Sequence, residues 1–287
     1  INTNMVKIIE CPRDAMQGIK TFIPTEKKAA YLNQLLKVGF DTLDFGSFVS
    51  PKAIPQMRDT ADVLKQLDLS ETNTRLLAIV ANRRGASDAA QFEEITYLGY
   101  PFSISETFQL RNTNATIEES VERIQQIQDI CAKHGKQLVA YLSMGFGNPY
   151  GDPWNVDIVQ KWSDRLIEMG INILQLSDTI GVASPESISY LFSNLTPHYP
   201  NAEFGAHFHT VPDKWKEKVA TAYESGCRRF DGAIKGYGGC PMAKDDLTGN
   251  MPTENMAFYF DELMEDTGID LREFRQSMAM AAEVFPD

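Results

Sequence analysis

Short runs rich in β-branched and aromatic residues alternate along this chain with longer segments of helical length, amphipathic in pattern. The first kind fits strands of a buried parallel sheet, and the second fits helices that cover it. Strand-like runs fall at VKIIE, TLDFG, RLLAIVA, FSISETF, QLVAYLS, ILQLSD, FGAHFH and RRFDGAI, eight in all, and a helix-like segment follows each. Eight such units close a (β/α)₈ barrel. An open doubly wound sheet is the competing arrangement, but no glycine-rich dinucleotide fingerprint follows the first run.

Punctuation between the units supports the parse. Gly39, Gly99, Gly135, Gly170 and Gly226 are each expected to end a helix, because glycine tolerates the left-handed conformation that closes a helix C-terminus. Thr116 with Glu119 reads as a capping box, and Ser184 before Pro185 reads as an N-cap followed by proline in the first turn. With no linker, low-complexity stretch or shift of composition, residues 1–287 read as a single catalytic domain. The barrel is expected over about 6–268 and an extra C-terminal helical segment over about 269–287.

Composition narrows the classes. Of 287 residues, 43% are apolar and 23% charged, the balance of a soluble globular protein with a large core. A net charge of −12 without a basic stripe argues against nucleic acid as a partner, while leaving room for a phosphorylated small ligand at helix N-termini and local cations. No apolar run has membrane-spanning length and the first residues lack a signal-peptide pattern, so no membrane partner and a cytoplasmic location are expected. Cys11, Cys131, Cys227 and Cys240 lack metal-knuckle spacing and read as reduced thiols.

The run FGAHFHT raises the question of chemistry. In a strand, His207 and His209 project from one face toward one point. A shared metal ion is one reading, and two half-buried histidines donating to backbone carbonyls is the other. Barrel active sites lie at the C-terminal ends of the strands. That end collects Glu10, Arg13, Asp14 and Gln17 after the first run, Asp44 and Ser47 after the second, Ser105 and Glu106 after the fourth, and Asp178 and Thr179 after the sixth. Beyond the eighth run, the glycine-rich KGYGGCPMAKDDLTGN adds Cys240 and Asn250. Asp14, His207 and His209, with a carbonyl oxygen from Asn250, would form a mixed oxygen and nitrogen site suited to Mg²⁺ or Mn²⁺, with Zn²⁺ less favoured. Taken singly, Asp14 fits a salt bridge to Arg13 or a helix cap, Asp178 a cap, Asn250 a turn and Cys240 a packing residue. Their convergence carries the functional reading. The acidic positions Glu118, Glu119, Glu122 and the run 261–266 read as solvated helix faces, Phe258 and Phe260 as core or subunit interface, and His134 and His198 as structural residues at the opposite end.

The stretches PRDAMQ (12–17), SFVSPKAIPQM (47–57), ATIEES (115–120), SDTIGVASP (177–185), AHFH (206–209) and GGCP with GN (238–250) resemble the 3-hydroxy-3-methylglutaryl-CoA lyase family, within the metal-dependent lyase and Claisen-condensing TIM-barrel superfamily. The resemblance spans nearly the whole chain, and SFVSPK together with the GGCP…GN loop marks the lyase branch. It implies Asp14, His207, His209 and Asn250 as metal ligands, Arg13 and Cys240 as catalytic residues, Asp44 and Asp178 as supporting acids, and Gln17, Ser47 and Thr179 near substrate. It also implies an acyl-CoA substrate, a divalent cation, a homodimer, and retro-Claisen cleavage to acetyl-CoA and acetoacetate. Asp14 or a histidine of the pair would act as base, Arg13 as oxyanion donor, and Cys240 as proton donor to the enolate. The chain departs from the family pattern at Asp44, usually Glu, at Thr210, commonly Asp, and at GFGNPYGDP (145–153), which replaces a cysteine-containing loop. The competing functions are a 4-hydroxy-2-oxoacid aldolase, a Claisen-condensing synthase and, from another class, a non-catalytic binding scaffold.

Overall fold

The apolar runs are buried along nearly their whole length, as parallel strands covered on both faces must be. The computed structural model describes residues 5–239 and 248–286. Strands β1 (Lys7–Glu10), β2 (Thr42–Ser47), β3 (Arg75–Ile79), β4 (Ile95–Ser103), β5 (Gln137–Ser143), β6 (Ile173–Asp178), β7 (Glu203–Thr210) and β8 (Arg229–Gly232) pair in parallel in chain order. β8 also pairs with β1, placing Lys7 beside Arg229 and Glu10 beside Gly232, which closes a TIM barrel.

Two short helices, α1 (Pro12–Gln17) and α2 (Thr25–Leu35), follow β1, and α3 (Thr60–Lys65) and α4 (Arg83–Ala90) follow β2 and β3. Around the rest of the ring run α5 (Glu106–Thr113), α6 (Ile117–Lys133), α7 (Val156–Glu168), α8 (Pro185–His198), α9 (Trp215–Glu224) and α10 (Thr253–Glu262). α11 (Leu271–Val284) is the additional C-terminal helix; Phe274 on it meets Phe40 edge-on at 6.2 Å, and the N–H of Asp270 bonds Val38 O.

Strand alternation divides the side chains into two layers. Ile8, Leu43, Leu76, Leu98, Leu174, Ala206 and Phe230 point outward into the main core beneath the helices. Leu77, Ile79, Tyr97, Val139, Tyr141 and Ile173 point inward and form a separate cluster inside the barrel. On the side of β6, β7 and β8 the interior is polar instead, with Gln175, His207, Arg229 and Asp231.

The helix boundaries follow the local signals. Thr116 with Glu119 and Ser184 with Ser187 form capping boxes, and Pro185 occupies the first turn of α8. Gly135, Gly170 and Gly226 adopt φ of 68°, 92° and 104° directly after the C-caps of α6, α7 and α9, while Gly39, with φ of 97°, closes a turn beyond the end of α2 at Leu35. Gly99 differs: it lies inside β4 and faces the barrel, where an added Cβ would sit 2.7 Å from Ile79 Cδ1 and 2.9 Å from Tyr141 Cε2. It marks a close approach of packed side chains, not a helix end. The fourth strand also begins earlier than the run FSISETF indicated, because Gly99, read as a helix end, and Pro101 are accommodated within it in register with Val139 and Tyr141. Ser105 and Glu106 therefore leave the strand. Ser105 caps α5, and its hydroxyl with that of Thr107 holds Asp152 at 2.6 and 2.9 Å. A short strand that no pattern announced, β9 (Gly249–Asn250), runs antiparallel to the end of β7 and sets Asn250 opposite His209.

Candidate active site

Three segments meet at the C-terminal mouth of the barrel: the turn from β1 into α1, the end of β7, and β9. Pro12 opens α1 directly after the strand, so Arg13 and Asp14 fall in its first turn. On β7 the period of two points His207 and His209 inward together, their ring centroids 5.3 Å apart. Ligand atoms of Asp14, His207 and His209 all lie within 4.8 Å of one another, and His207 Nε2 stands 3.5 Å from Asp14 Oδ2. His209 Nδ1 is 2.7 Å from the carbonyl oxygen of Thr179. A carbonyl only accepts, so Nδ1 carries the proton and Nε2 presents a lone pair. That Nε2 is buried and, among the described residues, has no hydrogen-bond partner. On β9, whose backbone pairs with His209, Asn250 spends its amide N–H₂ on Tyr237 O at 2.7 Å, which leaves its side-chain oxygen as the ligand-type atom. An orphaned imidazole nitrogen beside a carboxylate and a second imidazole fits a hard-to-borderline divalent cation.

Arg13 is fixed by a fork. Its Nε and Nη2 donate to Asp44 at 3.1 and 2.7 Å, and its Nη1 donates to Gln17 Oε1 at 2.8 Å. Each terminal nitrogen therefore keeps a second N–H for another acceptor. Burial would raise the Asp14 carboxyl, but Arg13 and His207 hold it well below the ordinary carboxylate range. Burial by itself would lower the His207 imidazole; hydrogen bonds to Asp14 and Asp231 overcome it and raise the group to about 10. His209 moves the other way, lowered by burial and then by the neighbouring His207. For Asp44, burial outweighs the pull of Arg13 and raises the carboxyl. Two histidines one residue apart are thus shifted in opposite directions, because only His207 is hydrogen-bonded to carboxylates.

Asp14 and Gln17 border a cavity of about 660 Å³ that also meets Ile54, Tyr237, Gly239 and Phe285. Phe285, just beyond α11, stacks on Tyr237 at 4.4 Å, so the C-terminal segment and the glycine-rich loop share one wall. Other expected site residues take different stations. Asp178 points away from the barrel axis, accepts from Val182 N and Ala183 N, and pairs with Lys218 Nζ at 3.0 Å. Thr179 Oγ1 accepts from Met144 N at 2.8 Å, and Ser47 Oγ accepts from Val49 N. These three shape loops next to the site and do not join the cluster. Glu10 is buried on the outer side of β1, bonded to Ile234 N and Thr253 Oγ1. Cys240 lies outside the described residues.

Four residues of the site carried no signal that the pattern reading used. Asp231 accepts from His207 Nδ1 at 2.8 Å, Gln175 supports Asp231, Tyr141 meets the His207 ring edge-on, and Lys218 donates to His209 O. They sit within ordinary strand and helix runs, and only the closing of the ring brings them together. The strand period would have placed Gln175 and Asp231 inward had polar residues in buried runs been followed up.

The model of the family described as HMGL-like matches residues 6–280. A hydroxymethylglutaryl-CoA lyase of Bacillus subtilis is 34% identical over 262 residues, 91% of this chain and 87% of its own. Among solved structures, an HMG-CoA lyase of Bacillus subtilis superposes with a TM-score of 0.91 at 32% identity, covering 98% of this chain and 93% of that one. An HMG-CoA lyase of Acinetobacter baumannii in complex with coenzyme A and 3-methylmalate gives 0.90 at 29% identity, covering 99% and 92%.

Proposed function

We infer the activity from one premise: the chain belongs to the HMGL-like family. Its curated relatives and the solved neighbours more than 25% identical to it are HMG-CoA lyases, and the protein is a carbon–carbon lyase that cleaves 3-hydroxy-3-methylglutaryl-CoA to acetyl-CoA and acetoacetate. The observation that carries this to the residues is the buried Nε2 of His209, unpartnered among the described residues, beside Asp14 and His207 at the barrel mouth.

The family is divalent-metal dependent, and the residues assigned to hold the ion are Asp14, His207, His209 and Asn250. The mixed oxygen and nitrogen set favours Mg²⁺ or Mn²⁺ over Zn²⁺. When bound, such an ion supplies Lewis-acid polarisation of the substrate oxygens. In the cleavage, the tertiary hydroxyl loses its proton, the bond between C2 and C3 breaks, a ketone forms on one side and a thioester enolate on the other, and the enolate carbon takes up a proton. Asp14, whose carboxylate keeps a second oxygen beside the one that would hold the ion, is assigned to receive the hydroxyl proton. Arg13 has its charge locked in place by Asp44 and directs its remaining N–H groups toward the developing enolate oxygen. Cys240 is assigned the return of the proton to carbon. Asp178 and Thr179 act as positioning residues, because Thr179 O fixes the His209 ring and Asp178 gathers the loop that carries it. Gln17 lines the cavity and is assigned to substrate contact. A cytoplasmic homodimer is the assembly the family resemblance favours; no helix of the described residues is long and apolar enough to cross a membrane.

The test is a coupled assay for acetyl-CoA release from 3-hydroxy-3-methylglutaryl-CoA, run on chelated enzyme and after addition of Mg²⁺ or Mn²⁺. Activity is expected to vanish on chelation and return with either ion. Full turnover after exhaustive chelation refutes the metal assignment, and Cys240→Ser with an unchanged kcat refutes the role given to the thiol.

A further inference from the structure

We propose that Asp231 is the positioning residue for His207, held to that task by a column of buried side chains, Gln175 and Arg229, that descends the barrel axis beneath it. The inference rests on the reading that His207 is a cation ligand. Asp231, Gln175 and Arg229 are 3%, 0% and 1% exposed, so water does not complete their hydrogen bonds. Arg229 Nε donates to Gln175 Oε1 at 3.2 Å. Since arginine has no acceptor, this bond settles which end of the Gln175 amide faces down. The amide N–H₂ then faces up and donates to Asp231 Oδ1 at 2.9 Å and to Ala206 O at 3.2 Å. Asp231 is left with its second oxygen, Oδ2, 2.8 Å from His207 Nδ1. A carboxylate there demands a proton on Nδ1, and a ring protonated at Nδ1 offers its Nε2 lone pair to the side of Asp14 and His209.

Shape fixes the column as firmly as bonding does. Gly205 lies two residues before His207 on the same face of β7, and a Cβ there would fall 2.1 Å from Gln175 Oε1. The missing side chain is the slot into which the Gln175 amide fits. Tyr141 meets the His207 ring edge-on at 5.9 Å, and the Cys11 sulfur lies within 4.8 Å of both the His207 ring and the Asp231 carboxylate. The signal is therefore a directional one: donor, amide, carboxylate, imidazole, each orientation dictated by the one below.

Asp231→Asn breaks the direction without changing the shape. The new amide can turn its oxygen to His207, but its N–H₂ then confronts the N–H₂ of Gln175; turning Gln175 over only moves the conflict down to Arg229. Adding Gln175→Glu removes the conflict within the column, since the introduced carboxylate accepts from both the new amide and Arg229 and the net charge of the chain is restored, with only the 3.2 Å bond to Ala206 O given up. Mn²⁺ binding, followed by the electron paramagnetic resonance of free Mn²⁺ without substrate, is the readout. Asp231→Asn is expected to weaken Mn²⁺ about 10- to 100-fold, as loss of an outer partner of a metal-bound histidine does, and the double variant to return to within about threefold of the parent. In the Mg²⁺-loaded parent and double variant, ¹⁵N resonances of His207 should report a protonated Nδ1. An unchanged Mn²⁺ affinity in Asp231→Asn, or a folded double variant that binds no better than the single one, overturns the proposal. If Asp231→Asn alone does not fold, the double variant is compared with the parent directly: an affinity within about threefold supports the proposal, and a loss beyond about tenfold overturns it. Because the titration uses no thioester, its outcome is independent of whether the substrate has been assigned correctly.

Discussion

Lys218→Met severs the attachment between the histidine strand and the loop after β6. Lys218 is 3% exposed on α9, and its ammonium donates to Asp178 Oδ2 at 3.0 Å, His209 O at 2.7 Å and Gly181 O at 3.3 Å. Methionine keeps the aliphatic stem and removes the charge. Breaking one side of a buried ion pair costs about 3–5 kcal/mol, because the partner is left uncompensated. Asp178 retains the N–H groups of Val182 and Ala183 at 2.8 and 3.0 Å, which places the cost at the lower end, about 3 kcal/mol. At about 2 cal/mol/K of unfolding entropy per residue, a chain of 287 residues loses about 0.6 kcal/mol per degree, so Tm should fall by about 5 °C. Scanning calorimetry of the parent and variant at the same scan rate and metal concentration measures this. Mn²⁺ affinity should fall in parallel, since Thr179 O, which orients His209, belongs to the released loop. A Tm within about 1 °C of the parent would refute the reasoning, for it would mean that Asp178 needs no countercharge.

Three further outcomes are expected. Glu10 has its carboxyl pushed up to about 8 by burial, against the lowering hydrogen bonds from Thr253 and Ile234. Its folded value lies above the unfolded one, so the stability contributed by the protonated group is complete below about pH 4.5 and is lost as pH rises through about 8, at up to ~1.4 kcal/mol per unit. Glu10→Gln cannot ionise and should gain stability relative to the parent between about pH 5 and 8 in denaturant titrations; a constant difference across that window contradicts a protonated Glu10. Met264 is 92% exposed and holds φ at 60°, so Met264→Gly should stabilise by about 1 kcal/mol and raise Tm by about 2 °C without changing kcat. A lower Tm would show that the side chain compensates for its backbone. Arg13→Lys loses the fork onto Asp44, and steady-state kinetics should show kcat reduced about 10²- to 10³-fold. Retention of a tenth of the parent kcat or more, by about that measure, would argue against Arg13 as the oxyanion donor.

Much of this architecture follows from local rules. Alternation of strand and helix patterns gives the ring, and the capping boxes at Thr116 and Ser184 mark helix starts because both bonding partners lie within four residues. Gly99 was misread as a helix end because a barrel interior can require a missing side chain within a strand, a demand set by Ile79 and Tyr141 on neighbouring strands. At the site, Asp14, His207 and His209 were legible from strand-end position and spacing. The direction of Asp178 was not: it depends on the alternation of β6, which turns that carboxylate toward Lys218 on α9. Asp231 and Gln175 were hidden for a related reason, since their partners come from other strands and their value exists only after closure.

The ring closes where β8 meets β1, and the grouping at the mouth straddles that junction. Asp14 stands on the bank formed by the start of the chain, while His207, His209 and Asn250 stand on the bank formed by its last third. A cation gripped from both banks would be a rivet as well as a reagent, holding together segments that the backbone itself joins only the long way round. At a free concentration a hundred times its Kd, such a rivet would add about 2.7 kcal/mol against unfolding. Scarcity of the ion would therefore shorten the lifetime of the molecule as well as slow its turnover, and the two losses should track the same binding curve.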